Sequence, residues 1–282
     1  MPELPEVETI KNELLPHVVG RRISGVTLVW EGIVKDMPAG DFLSRVVGQE
    51  IGGITRRGKY LMIHLGSGDI LVLHMKMSGS LIVSPDSAEP PRFCRAIIHL
   101  DNGSHIFFRD PRKFGEMRVA AGTEWVEGKL GPEPLPDSFT AAALGRILAG
   151  RKAPVKAALL NQKLIAGIGN MYADEALYAS GINPWRQAGS LSRGEVERLH
   201  AEIRRILWAA IGDKGASVDT YFRPDGSEGS AHYQFRVAHG LGGRTCPACG
   251  GPIERGLVGN RGTYYCPRCQ PLKPRRRQRG PG

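Results

Sequence analysis

The chain of 282 residues has no run of eighteen consecutive apolar residues, so a transmembrane helix is not expected. Its opening, Met1-Pro-Glu-Leu-Pro-Glu-Val-Glu8, lacks the basic start and apolar core of a secretory signal, and a cytosolic protein is expected. Cysteine is scarce, five in all, which in that compartment argues against a disulfide framework. No internal repeat is visible. Acidic residues are outnumbered, 28 against 38 Lys and Arg, leaving a net charge of +10. That balance suits a polyanion, whose condensed counterions are released as phosphates are neutralised, although a solvated basic surface would read the same way. With 41% hydrophobic residues the chain can bury a proper core, and its length suits two domains plus a small module.

Four of the five cysteines form two Cys-x-x-Cys pairs, Cys246/Cys249 and Cys266/Cys269, with sixteen residues between the pairs. This is the spacing of a four-cysteine zinc site; a redox dithiol is the competing reading. Pro247, Gly250 and Pro267 suit tight turns at the ligands, and Gly262–Tyr265 reads as a short strand between them. So small a unit cannot make a core, and zinc would supply its folding energy. Four thiolate ligands leave no position for water, so the metal is expected to be structural. Cys94 reads as a small buried apolar residue.

Periodicity divides the rest. Glu6–Leu15 predicts a helix, with Val7, Ile10 and Leu14 on one face. Strands follow at Ile23–Trp30, Tyr60–Leu65, Ile70–Met75, Arg95–Leu100, His105–Arg109 and Met117–Ala120, with a short helix at Asp41–Val47. Beyond the proline-rich break at Leu130–Pro136 the pattern turns helical, over Ser138–Leu148, Val155–Asn161, Asn170–Ser180 and Ser192–Ile211. Ser192-x-x-Glu195 is a capping-box start for the last helix. A Gly-, Ser-, Asp- and Pro-rich loop at Gly212–Ser230 is long enough to be functional or mobile. The expected architecture is α+β multidomain. An N-terminal β-sandwich, or on the pattern alone a barrel, with flanking helices spans 1–130, a linker 131–136, a helical domain 137–235, a zinc hairpin 236–270 and a basic disordered tail 271–282.

Four local features could carry chemistry, and each has a plainer alternative. Prolines in Pro2-Glu-Leu-Pro5 could merely stiffen the entry to a helix. Loss of Met1 would instead expose a secondary amine, and an α-amine with a pKa of about 8 is a better nucleophile near neutrality than lysine. Glu3 beside it is placed for acid/base work. Arg56-Arg-Gly-Lys59 reads as a basic turn, either solvated or clamping phosphate. Met77 and Phe114, near strand ends beside Arg112 and Lys113, could be core residues or apolar wedges entering a base stack. Gly167-Ile-Gly-Asn170 makes a sharp turn before a helix start, where backbone N–H groups can hold a phosphate.

Taken in order, Pro2–Thr9, Arg57-Gly-Lys59-Tyr-Leu, Met77-Ser-Gly, Asp110-Pro-Arg-Lys-Phe-Gly115, Leu130-Gly-Pro-Glu-Pro-Leu135, Ile168–Glu175, Asp225-Gly and the four cysteines resemble the bacterial formamidopyrimidine-DNA glycosylase (MutM) family along nearly the whole chain. The resemblance implies a helix-two-turn-helix element in the helical domain, a four-cysteine β-hairpin zinc finger, and DNA between the halves. It implies a bifunctional glycosylase and abasic-site lyase that excises 8-oxoguanine and formamidopyrimidines from duplex DNA and cleaves the strand by β,δ-elimination. Pro2 would be the nucleophile, Glu3 the acid/base partner, and Lys59 a phosphate contact that assists catalysis. His74 would lie on the backbone nearby. Met77, Arg112 and Phe114 would fill the vacancy left by the flipped nucleotide, and Asn170 and Arg261 would grip flanking phosphates. Glu6 and Glu175 match acidic family positions near the pocket. One structural zinc ion is implied and no nucleotide cofactor; a monomer is expected, in the bacterial cytoplasm and on the nucleoid. Lys113 stands where relatives commonly have Arg, and Val237-Ala238-His239 where many carry a Val-Tyr pair. Two rivals are an endonuclease VIII-like glycosylase for oxidised pyrimidines, disfavoured by Leu4 and by Arg112-Lys-Phe114, and a catalytically silent binder of damaged DNA.

Overall fold

The computed structural model describes residues 1–85, 88–218, 220–238 and 242–272. It falls into two compact units. Unit 1 comprises Met1–Leu135, Ile165–Ile168 and Leu207–Gln234; unit 2 comprises Pro136–Leu164, Gly169–Ile206 and the chain from Phe235 onward. Unit 1 thus takes in two segments from the stretch that the sequence pattern assigns to the helical domain.

Unit 1 begins with helix α1 (Leu4–Val18) and continues through β1 (Ile23–Leu28), α2 (Ala39–Val46), β2 (Ile51–Arg57), β3 (Tyr60–Leu65), β4 (Ile70–His74), β5 (Ser80–Ser84), β6 (Cys94–Leu100), β7 (His105–Arg109), β8 (Glu116–Ala120) and the single turn α3 (Glu124–Glu127). Two antiparallel four-stranded sheets form, in the orders β1-β6-β7-β5 and β2-β3-β4-β8. Val7, Ile10, Leu14 and Val18 of α1 share one core with Leu61, Ile63, Leu71 and Leu73 of one sheet and Ile98, Ile106 and Phe108 of the other. Burying each such side chain stabilises the fold by about 1.5–3 kcal/mol, which makes the helical spacing in α1 a folding instruction. Cys94 is buried against Ile97 and Phe107, as expected of a small apolar residue.

Two of these strands are not expected from the pattern. β2 opens on Ile51-Gly-Gly53, where the pairing with β3 shifts register, and glycine there erases the strand signal. β5 is short and has serine at both ends. The consequence for Arg56 and Arg57 is direct: they end a strand and are not part of an open basic turn. Arg56 is paired with Glu8 at 2.6 Å and Glu133 at 2.9 Å, and Arg57 with Glu133 at 3.0 Å. Their charge is spent inside the protein, so of the Arg56–Lys59 cluster neither arginine stands ready as a phosphate clamp.

Unit 2 holds α4 (Ala141–Leu148), α5 (Val155–Leu160), α6 (Asn170–Ala179), the first part of α7 (Arg193–Gly212) and the hairpin β9 (Glu254–Val258) and β10 (Arg261–Tyr265). α4 starts three residues later than its pattern suggests because Thr140 caps it, its side chain accepting from Ala143 N–H at 3.2 Å. The capping box of α7 is present: Ser192 N–H donates to Glu195 at 2.9 Å, and Glu195 N–H to the Ser192 hydroxyl at 3.4 Å. Gly259 and Asn260, both at positive φ, make the two-residue turn between β9 and β10. Among the described residues no helix is long and apolar enough to cross a membrane. Of the tail expected at 271–282, residues 273–282 lie outside the described set, as does His239.

Candidate active site and nucleic-acid interface

α1 opens at Leu4, earlier than the pattern suggests, so Glu3 is its N-cap and Pro2 immediately precedes it. Pro2 is buried and Glu3 is 1% exposed. Glu6, fully buried, accepts the Glu3 N–H at 2.7 Å through one carboxylate oxygen and the Ala216 N–H at 2.9 Å through the other. A further strut comes from residues 165–168, which lie within unit 1: Leu4 N–H donates to Gly167 O at 3.1 Å. Gly167 has φ +85°, and a Cβ there would stand 2.6–2.8 Å from Leu4 side-chain atoms. The glycine serves this close approach, so the first residue of Gly167–Asn170 has a positioning role at the start of α1.

The same segment carries the Lys59 turn. Gly58, φ +58°, lies against Leu130, Ala166 and Gly167, so the turn and the start of α1 meet at the same glycine. Lys59 is 7% exposed, and its ammonium acts electrostatically on His74. Burial first, then the Lys76 and Lys59 charges, push the His74 imidazole down to about 3. Its Nδ1 accepts the Lys76 N–H at 2.9 Å, which leaves the proton on Nε2. His74 is therefore a neutral donor, its ring edge-on to Tyr60 at 4.6 Å.

Met77, Arg112 and Phe114 come together on unit 1. The Arg112 guanidinium lies 4.8 Å over the Phe114 ring and its Nη1 is 3.5 Å from the Met77 sulfur. Met77 is 39% and Phe114 47% exposed, so both apolar side chains project instead of joining the core. What shapes this projection is Asp110, whose task the motif alone does not reveal. Fully buried, its carboxylate accepts the N–H groups of Arg112 at 3.2 Å and of Phe114 and Gly115 at 2.7 Å, and the Ser78 hydroxyl. An Asp ahead of a Pro and a Gly is the available signal, since such side chains fold back onto nearby backbone donors.

In unit 2 the four cysteine sulfurs lie within 4.8 Å of one another, Cys249 to Cys266 at 3.4 Å and Cys246 to Cys269 at 3.8 Å. Tetrahedral thiolates at about 2.3 Å from zinc stand roughly 3.8 Å apart, so the cluster fits the ion. Gln270, fully buried, stitches the finger to the helices: its side chain receives Cys266 N–H at 2.9 Å and donates to Ile182 O at 2.9 Å. Arg261 is exposed at the start of β10. Asn170, first residue of α6, donates to Gly262 O at 2.9 Å, which places it beside Arg261 while its Oδ1 remains buried without a hydrogen-bond partner. Lys156 and Asp174, both fully buried, pair at 2.7 Å, and Lys156 also reaches Gly262 O at 3.0 Å. Glu175 accepts three backbone N–H groups, those of Arg236, Val237 and Ala238, at 2.7–3.0 Å. It organises a turn.

The geometry can be set beside known proteins. Residues 1–117 match the formamidopyrimidine-DNA glycosylase N-terminal domain, 130–221 the H2TH domain of the same enzymes, and 243–272 the zinc finger found in FPG and IleRS. A formamidopyrimidine-DNA glycosylase of Symbiobacterium thermophilum is 44% identical over 290 residues, covering 99% of this chain and 94% of that one. The chain belongs to the formamidopyrimidine-DNA glycosylase family. Two crystal structures of the Lactococcus lactis protein, one a variant with Fapy-dG-containing DNA and one with abasic-site DNA, share its fold. Each has a TM-score of 0.89, at 31% and 30% identity, over 96% of this chain and all of the other. The protein is accordingly a DNA glycosylase of base excision repair, built from N-terminal sheets with helices, an H2TH domain and a finger whose four cysteines hold one structural zinc ion. The resemblance drawn from the motifs holds for the family and for the metal. In this glycosylase the ligand set is closed, so zinc supplies folding energy and no reaction step.

Proposed function

We propose that this glycosylase excises oxidised purines, 8-oxoguanine and formamidopyrimidines, from duplex DNA and then cleaves the strand at the resulting abasic site, acting as a monomer in the bacterial cytoplasm. The reading rests above all on the start of α1, where Pro2 and Glu3 are buried and pinned by Glu6 and by the Leu4–Gly167 hydrogen bond. Two structural neighbours bound to Fapy-dG and abasic DNA support the substrate class.

While Met1 is attached, the Pro2 nitrogen is an amide with no usable lone pair. With Met1 removed it is a secondary amine. Its lone pair attacks C1′ of the extruded nucleotide; the N–C1′ bond forms as the glycosidic bond breaks, and the base leaves with the proton released from the Pro2 nitrogen. Glu3 gives a proton to the sugar ring oxygen, the ring opens, and an iminium ion forms between Pro2 and C1′. The iminium acidifies the C2′–H, whose loss expels the 3′-phosphate; a second elimination expels the 5′-phosphate. Extruding the base costs a few kcal/mol, roughly, in lost stacking. Met77, Arg112 and Phe114 offset that by entering the vacancy, Arg112 facing the orphaned cytosine. Lys59, His74, Asn170 and Arg261 hold phosphates. His74 does so as a neutral Nε2–H donor.

A Glu3→Gln variant tests the acid/base assignment. Base excision from an 8-oxoguanine:cytosine duplex should fall by about 100-fold or more, the usual range for a lost general acid, with duplex binding retained. Unchanged excision would refute the role.

A further inference from the structure

The sequence marks Gly212–Ser230 as a functional or mobile loop, and its described residues, 212–218 and 220–230, are tied to α1 at two points. Glu6 and Glu13 are seven residues apart, two turns along one face of that helix. Glu6 receives the Ala216 N–H at 2.9 Å. Glu13 receives Arg223 through Nε and Nη2, at 2.8–3.2 Å, in a two-pronged pair. Between these ties Tyr221 is 3% exposed within the core of unit 1, its hydroxyl donating to Lys214 O at 3.1 Å. Gly215, φ +80°, sits so close that a Cβ would be 3.0 Å from both Glu6 and the Tyr221 ring. Arg223 is itself held rigid. Its N–H and Nη1 reach Ser227 at 2.9 and 2.8 Å, and the adjoining Pro224 O accepts the N–H of Val83 on β5 at 2.8 Å.

We propose that Arg223 is a positioning residue for base excision: paired with Glu13, it fixes the loop so that Ala216 N–H stays on Glu6, and Glu6 holds the Glu3 backbone in place. The proposal rests on the Pro2–Glu3 reading. The Glu6 carboxylate has one oxygen on the loop and one on the N-cap, so a shift of the loop is felt at the reacting end of α1. Arg223 is suited to this because a planar guanidinium on a carboxylate fixes direction as well as distance, which a lysine ammonium does not.

The test is single-turnover excision of 8-oxoguanine opposite cytosine by the full-length protein and four variants: Arg223→Ala, Arg223→Lys, Glu13→Gln, and the charge exchange Glu13→Arg with Arg223→Glu. Arg223→Ala and Glu13→Gln should excise about 10-fold more slowly at saturating enzyme, as expected for a small misplacement of reacting groups. Their Kd for a duplex carrying an uncleavable abasic analogue should stay within about two-fold, since positioning is separate from uniform binding. Arg223→Lys should fall between, and the charge exchange should recover part of the rate, since Asp225, 3.4 Å from Arg223, repels a carboxylate placed there. Wild-type rates in both single variants would overturn the proposal, as would a loss that the exchange does not restore even in part. Borohydride trapping of the wild-type protein, run alongside, separates this from the underlying reading: absence of a Pro2 adduct there condemns the nucleophile, whatever the variants do.

Discussion

The start of α1 in unit 1 and the zinc hairpin in unit 2 are both organised by buried carboxylates, but different forces keep those carboxylates in place. Glu6 and Asp110 bind backbone N–H groups around a large apolar core drawn from two sheets and a helix. Asp174 faces a buried lysine, and among the described residues the buried core of the finger beside it is Val237, Cys246, Ile253 and Cys266, two of them metal ligands, with Tyr178 and Tyr264 packed against it. Unit 1 can hold its geometry by packing. The hairpin cannot, and its position depends on zinc, on the Lys156–Asp174 ion pair and on the hydrogen bonds made by Gln270 and Asn170.

The largest effect should come from removing the metal. Chelation, or Cys249→Ala, should lower duplex affinity by about 100-fold or more, because the hairpin loses the folding energy that zinc supplies, while the near-ultraviolet signal of the unit 1 aromatics persists. Retained binding after verified zinc loss would erase the distinction between the regions. Next is the ion pair. Lys156→Met leaves the Asp174 charge buried and should destabilise unit 2 by about 3–5 kcal/mol in denaturant titrations. Burial pushes Asp174 up to about 7 even with its partner present. A carboxyl raised above its unfolded value favours the fold when protonated, so its contribution is greatest below about pH 4 and falls as pH rises towards 7. The variant should therefore be less damaged at pH 5 than at pH 8; equal damage at both would count against a buried charge.

In unit 1 the corresponding perturbation is steric. Gly167→Ala adds a Cβ against Leu4 at a left-handed φ, a strain of about 1–3 kcal/mol, and should slow excision by roughly 10- to 100-fold through displacement of the α1 start. Unaltered excision would show that the strut does not position Glu3. The smallest effect is the pH dependence of His74. Its depressed folded value, about 3, means that the unfolded chain binds the proton first. The stability it contributes is present above about 6.5 and is lost as pH falls towards 3, the opposite slope to Asp174. His74→Gln should flatten that part of the unit 1 profile, and an unchanged profile would contradict a buried neutral imidazole.

Much of this was legible in the chain. The short apolar runs in Tyr60–Leu65 and His105–Arg109 mark those two strands to the residue, and the cysteine spacing marks the finger. β2 and β5 were hidden because glycines and serines carry no hydrophobic period. Arg56 and Arg57 look free in sequence because their partners, Glu8 and Glu133, are 48 and 76 residues away. For the same reason Glu13 and Arg223, 210 residues apart, give no local sign of each other. Glu175 carries the expected acid at a family position, but only its three backbone donors reveal its task.

The most direct test of Pro2 as nucleophile is borohydride reduction of the protein, its mature N-terminus confirmed as Pro2, on an 8-oxoguanine:cytosine duplex, followed by peptide mapping. A covalent protein–DNA adduct carried on Pro2 is the expected result. No adduct, or one mapping to Lys59 or any other lysine, would contradict it.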